Sequence, residues 1–206
     1  MNTQHFSTKE RILGAAEQLF ARHGFAGASL RQVTAAANVN LAAVNYHFGS
    51  KENLINEVFR RRLDDLNAQR LAALDAALER PGSSLESLLD AFIRPALELS
   101  LDRSGGGAFV RVLARAYAEH NDALRKFLSD NYGHVLKRFH AAFAQLLPDL
   151  DKEELYWRLD IVAGALTYAM ADFGVIKRKS GVNEQTHRER YAEHLVRFAA
   201  AGLRAP

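Results

Sequence analysis

A chain of 206 residues with 48% apolar and 25% charged side chains holds enough hydrophobic material for a small domain plus a larger one with its own core, which excludes a disordered polymer. The complete lack of cysteine excludes a disulfide framework and a thiolate metal site. The net charge of +3 is unevenly placed: residues 1–62 carry eight Lys and Arg against four Asp and Glu, while residues 63–206 carry 19 against 20, so the positive excess sits at the N-terminal end, as a phosphate-binding domain requires.

The opening stretch MNTQHFSTKER lacks the apolar core of a signal peptide. The longest uncharged run of the C-terminal half, Ile161 to Ala171, is far below the roughly 20 residues that a membrane helix needs. A cytoplasmic protein with no membrane partner is therefore expected. Ser7-x-x-Glu10 has the spacing of a capping box, and Ile12, Ala16, Leu19 and Phe20 then recur at helical spacing until Gly24. A second box, Ser29-x-x-Gln32, predicts a helix running to about Ala37, where Asn38 can adopt the left-handed conformation of a sharp turn. Asn40 then caps a helix over Leu41–Phe48. Two short helices joined by so brief a turn make a helix-turn-helix unit, whose second helix enters the major groove. Small side chains at Ala42 and Ala43 let the backbone approach base edges, and a leucine or alanine methyl packs on a thymine methyl. Asn45 offers the donor and acceptor that bridge adenine N6 and N7, and Tyr46, His47 and Lys51 supply donors for phosphate oxygens. Val39, Val44 and Phe48 form the side that docks on the rest of the domain. The alternative on pattern alone is an ordinary amphipathic hairpin, because such signals are short and degenerate.

A fourth helix should run from Lys51 to about Arg80, linking the two domains, with Arg60-Arg61-Arg62 read as a solvated charge run. Pro81-Gly82 breaks it and Ser83-x-x-Glu86 caps the next, whose apolar face is interrupted at Pro95. The segment Arg103-Ser104-Gly105-Gly106-Gly107 has neither the lysine nor the preceding strand of a P-loop and reads as a connector. Apolar residues at helical spacing continue from Phe109 to Leu146, and Asp151-x-x-Glu154 opens a helix that is apolar nearly all round and must be covered on several sides. A last helix begins near Asn183. No strand alternation is found, so the expected fold is all-α, with about nine helices. Residues 1–50 form a three-helix DNA-binding domain and residues 51–206 a helical ligand-binding and dimerisation domain. Eight scattered histidines include no H-E-x-x-H and no i, i+4 pair, and no glycine-rich loop follows a strand; no enzyme activity, cofactor or metal site is expected.

Residues 8–55 resemble the N-terminal domain of the TetR family of transcriptional regulators: LFARHGF at the end of the first helix, then S-L-R-Q-V-T-x-x-A-x-V, then VNYHFGSKENL. The resemblance implies that Ser29, Arg31, Asn40, Leu41, Ala42, Asn45, Tyr46, His47 and Lys51 touch double-stranded DNA. It also implies a homodimer on a palindromic operator, with half-sites about 34–36 Å apart or a multiple of that. Three positions depart from the family pattern: Ser29 replaces threonine and Asn38 replaces glycine, both conservatively, while Asn45 replaces a common tyrosine at a potential base-reading position, so the operator sequence is not transferable from relatives. The two last helices then form the dimer interface through Leu155, Leu159, Val162, Leu166, Phe173, Tyr191, Leu195 and Phe198. A small apolar effector would occupy a pocket among Phe92, Phe109, Leu113, Tyr117, Phe139, Phe143, Trp157, Val162 and Leu166. The segment Asn40–Phe48 together with the ending FAAAGLRA is similar to repressors that answer long-chain fatty acids or their coenzyme A esters. The alternative is a repressor of an efflux or catabolic operon that answers an aromatic or drug-like compound.

Overall fold

A computed structural model describes residues 6–102, 105–171 and 181–206. Among them are nine α-helices: α1 (Thr8–Gly27), α2 (Leu30–Ala37), α3 (Leu41–Phe48), α4 (Lys51–Glu79), α5 (Leu85–Leu101), α6 (Gly106–Ala118), α7 (Asp122–Leu146), α8 (Lys152–Ala171) and α9 (Glu184–Arg204). The chain packs into two compact units, one of Met1–Asp64 with Arg103–Asn131 and the other of Asp65–Asp102 with Tyr132–Pro206. This division differs from a boundary at residue 50, because the first half of α4, all of α6 and the start of α7 pack with the first three helices. It also gives the chain a second helix, α7, that passes from one unit into the other as α4 does.

In the first unit, Ser7 caps α1: its side chain accepts from the Glu10 N–H, while the Ser7 N–H donates to the Glu10 carboxylate at 2.8 Å. That backbone donor holds the Glu10 carboxyl below its ordinary pKa. α1 breaks at Gly24, where φ is +72°, and resumes to Gly27. Glu119 explains the break. Its carboxylate accepts from the Phe25 and Ala26 N–H groups freed there, at 2.9 and 3.3 Å, and a Cβ on Gly24 would lie 2.1 Å from its Oε1. The core is a file of rings, Phe20–Phe25, Phe25–Phe59 and Phe59–Phe109, with centroids 5.5, 6.3 and 5.5 Å apart. Beside it lies a buried ion pair, Arg62 to Glu17 at 3.0 Å, both side chains shielded from solvent. Arg62 is thus part of the core and not of the solvated run expected for Arg60–Arg62; Arg60 does stay at the surface, stacked over Phe127 at 5.3 Å.

In the second unit, Ser84 and not Ser83 caps α5, pairing with Ser87 in a reciprocal box, while the Ser83 hydroxyl donates to the Ala77 carbonyl that ends α4. α5 continues through Pro95. Proline has no N–H for the carbonyl four residues back, which weakens that turn. At the same turn, Arg70 donates to the Phe92 carbonyl at 3.0 Å and lays its guanidinium over the Phe92 ring at 4.0 Å. α9 is tied at both ends. Arg188 donates to the Ala169 carbonyl at 2.5 Å, and Arg158 donates to the Gly202, Leu203 and Ala205 carbonyls, a cation at a helix C-terminus where the dipole favours one. Arg204 makes a bidentate pair with Glu86 at 2.6 and 2.8 Å, which holds the Glu86 carboxyl down at about 2.

Candidate nucleic-acid interface and ligand cavity

The turn between α2 and α3 is built from three caps. Ser29 and Gln32 form the reciprocal box that starts α2, Asn38 ends it in the left-handed region at φ 51°, and Asn40 starts α3 by accepting from the Ala43 N–H at 2.9 Å. A fourth contact was not legible in the sequence. Arg11, on α1, donates to the Ala37 carbonyl at 2.8 and 3.1 Å and to the Asn38 carbonyl at 2.5 Å, satisfying the end of α2 and fixing the entry angle of α3. Val44 and Phe48 are the only buried residues of α3 and anchor it to the unit. Ser29, Arg31, Asn40, Leu41, Ala42, Asn45, Tyr46 and His47 are all exposed, and Ala43 and Lys51 are half-buried. All ten expected contact residues therefore belong to the α2–α3 segment and the first residue of α4. Tyr46 is 86% exposed, an extreme value for a large aromatic, and its ring lies edge-on to His47 at 5.1 Å. Such a face offers hydrogen-bond donors and acceptors to a partner with no covering side chains to displace.

The second unit contains an apolar cavity of about 470 Å³, within the roughly 300–1,000 Å³ usual for small-molecule sites. Its walls are Leu89 and Phe92 of α5, Leu136, Phe139, His140 and Phe143 of α7, and Glu153, Tyr156, Trp157, Leu159, Asp160, Val162 and Ala163 of α8. Phe92 meets Phe139 edge-on at 5.2 Å, and His140 stacks on Tyr156 at 4.1 Å. The His140 Nε2 is buried with no hydrogen-bond partner. Of the nine residues expected to line a pocket, Phe92, Phe139, Phe143, Trp157 and Val162 are brought together here. The other four are not. Phe109 is fully buried against Phe59 in the first unit, Leu113 and the 63% exposed Tyr117 lie on the same helix α6, and Leu166 is buried in the second unit without lining the cavity. Sequence reading missed Glu153, Tyr156 and Asp160, which reach the wall because positions 153, 156, 157, 160 and 163 share one face of α8, and His140, which reaches it from α7.

The stripe expected to form a dimer interface is turned inward for half its length: Leu155, Val162, Leu166 and Leu195 are buried within the chain's own second unit. Leu159 and Tyr191 are half-buried, and Phe173 lies outside the described residues. Phe198 is 73% exposed, and the other large apolar residues left open on α8 are Tyr156, Trp157, Ile161 and Tyr168. Among the described residues no helix is long and apolar enough to cross a membrane, and no group of three potential metal ligands is assembled.

A left-handed turn that presents a short, capped helix by its polar face, on a unit with a positive excess, defines a helix-turn-helix protein built to meet a DNA groove. Residues 12–58 match the family profile of bacterial regulatory proteins of the tetR family, and residues 90–202 match that of the tetracyclin repressor-like C-terminal domain. The chain belongs to the TetR family of transcriptional regulators. It is 40% identical over 77 residues to the HTH-type transcriptional regulatory protein RaaS of Mycobacterium tuberculosis, covering 37% of this chain and 34% of that protein. It is 33% identical over 134 residues to the HTH-type transcriptional repressor Rv3405c of Mycobacterium tuberculosis, covering 65% of this chain and 68% of that one. The chain thus spans about a third of the length of RaaS and about two thirds of that of Rv3405c. The fatty acid degradation regulator FadR from Bacillus halodurans shares the fold at a TM-score of 0.65 and 18% identity, over 99% of this chain and 100% of that one.

Proposed function

We infer that this chain is a repressor that binds a two-fold symmetric operator as a homodimer and is released by a small apolar ligand held between α5, α7 and α8. The observation that carries the DNA half is the α3 face: Asn45, Tyr46 and His47 stand exposed on a helix whose N-terminus is capped by Asn40, after a turn whose carbonyls are held by Arg11. Asn45 suits a base edge, while Tyr46, His47 and Lys51 suit phosphate oxygens. A second copy of the chain would cover Ile161, Tyr168 and Phe198, whose exposure in one copy is unusual for residues of their size.

The cavity lining separates the two effector classes. An acyl chain would fit its apolar walls, but a carboxylate or the phosphates of coenzyme A need a counter-charge, and no Lys or Arg lines it among the described residues. Five aromatic rings do, which favours the aromatic or drug-like compound over the fatty acid. A ligand releases DNA only by binding better to a state in which the reading helices are misplaced, and α4 and α7, which run from one unit into the other, are the elements through which that bias would travel.

The test is retardation of genomic DNA fragments by the purified protein, with and without aromatic and acyl compounds. Ala163→Phe, which fills the cavity, should keep fragment binding and lose the response to ligand. No fragment retained at low salt would refute the repressor; release by acyl compounds alone would restore the fatty-acid class.

A further inference from the structure

Two carboxylates and, among the described residues, no Lys or Arg line the cavity. Glu153 and Asp160 are two turns apart on the cavity-facing side of α8, on either side of Tyr156 and Trp157, and the remaining walls are apolar apart from His140. Neither carboxylate has an ion-pair partner among the described residues, in contrast to Glu154 on the next face of the same helix, which is held by Arg158 at 2.7 Å. Two carboxylates without a cation, set beside Tyr156 and Trp157, form a place where a positive charge gains twice, from the carboxylates and from the negative faces of the rings. The unit already shows the second effect, since the Arg70 guanidinium lies 4.0 Å from the Phe92 ring centroid. The wall formed by Phe92, Phe139 and Phe143 carries no carboxylate and suits a hydrocarbon or aromatic body.

We propose that the ligand class of this cavity is the lipophilic organic cation: an apolar, ring-bearing body seated between α5 and α7, with its positive charge beside Glu153 and Asp160. This rests on the reading of the cavity as the effector site, and it adds the sign of the effector's charge. A neutral aromatic would fill the same walls but leave both carboxylates uncompensated, and an anion would be repelled by them.

The chain has a single tryptophan, and Trp157 lines the cavity, so intrinsic fluorescence reports occupancy directly. The probes are tetraphenylphosphonium, tetraphenylborate and triphenylphosphine oxide, of related shape and of charge plus one, minus one and zero. Tetraphenylphosphonium should bind roughly tenfold tighter than the borate at low salt, with the gap narrowing as salt is added. Glu153→Gln and Asp160→Asn should each weaken the cation roughly two- to five-fold, as expected for exposed charges, and the double variant should erase the preference. Both positions are exposed, so their amides leave the core intact, and the wild-type comparison decides by itself. Equal or tighter binding of the borate, binding of none of the probes, or a preference that survives in the double variant would overturn the proposal. So would loss of cation binding as protein concentration rises, which would mean that a second copy occupies the mouth. DNA release is followed separately. A cation that binds here without releasing DNA supports the charge assignment and removes the effector role; release by triphenylphosphine oxide with no cation preference does the reverse.

Discussion

The α2–α3 segment and the α5–α7–α8 cavity are the two candidate recognition sites, and they are built on opposite principles. The first is local. Three caps within a dozen residues set the turn, and the functional side chains are those left in solvent once Val44 and Phe48 have been buried. The second is assembled from side chains of α5, α7 and α8 left around a gap in their packing, with Phe139 and Phe143 buried and Trp157 open to solvent. The contrast teaches that a DNA-reading helix is specified by backbone chemistry, which neighbouring residues dictate, whereas a ligand cavity is specified by which side chains fail to meet across a core.

The largest effect expected on the local site comes from outside it. Arg62→Ala would strand the Glu17 carboxylate in the core of the first unit, and removal of one member of a buried pair costs about 3–5 kcal/mol. Chemical denaturation should show this loss, and replacing both partners with apolar residues of similar volume should recover most of it. Next comes Asn45→Ala, which should cost about 1–3 kcal/mol at one base position in each half-site while leaving other positions unchanged. Competition with single-base operator variants checks it, and uniform weakening would move Asn45 to the backbone-contact set. Lys51→Ala should weaken specific and non-specific DNA alike and flatten the log–log salt dependence by about one unit per half-site, whereas Tyr46→Phe should weaken binding with little change of slope. The smallest effect lies in the second unit. Glu86→Gln removes a pair whose members are about half exposed, so water screens it and the loss at neutral pH should stay below about 1 kcal/mol. Because folding depresses the Glu86 pKa from 4.5 to about 2, that contribution is complete above the ordinary value and disappears as pH falls from about 4.5 towards 2. Denaturation curves of the two proteins should therefore converge in that window, and the DNA-reading unit should be indifferent to the change.

The same contrast governs what the sequence disclosed. Ser7 with Glu10, Ser29 with Gln32, Asn38 and Asn40 act within four residues of themselves, and their roles were readable from spacing. The cap of α5 was displaced by one residue because Ser83 and Ser84 are chemically alike and only the fold turns one of them towards Ala77. Arg11 and Glu119 complete helix ends 26 and 94 residues away, which no local pattern records. Helical periodicity announced that Phe109 and Leu155 are buried, but it cannot say against what. Phe109 joined the ring file of the first unit and not the cavity, and Leu155 turned into its own subunit and not towards a second. Glu153 and Asp160 carry no local sign of a cavity, because only the packing of α5 and α7 beside α8 puts them next to one.

The most direct test of the central claim, that the exposed face of α3 reads DNA as a symmetric pair, is sequencing of the fragments that the purified protein retains from fragmented genomic DNA. A shared motif with two-fold symmetry is expected, its half-sites about 34–36 Å apart or a multiple of that spacing. A retained set without a dyad would contradict it.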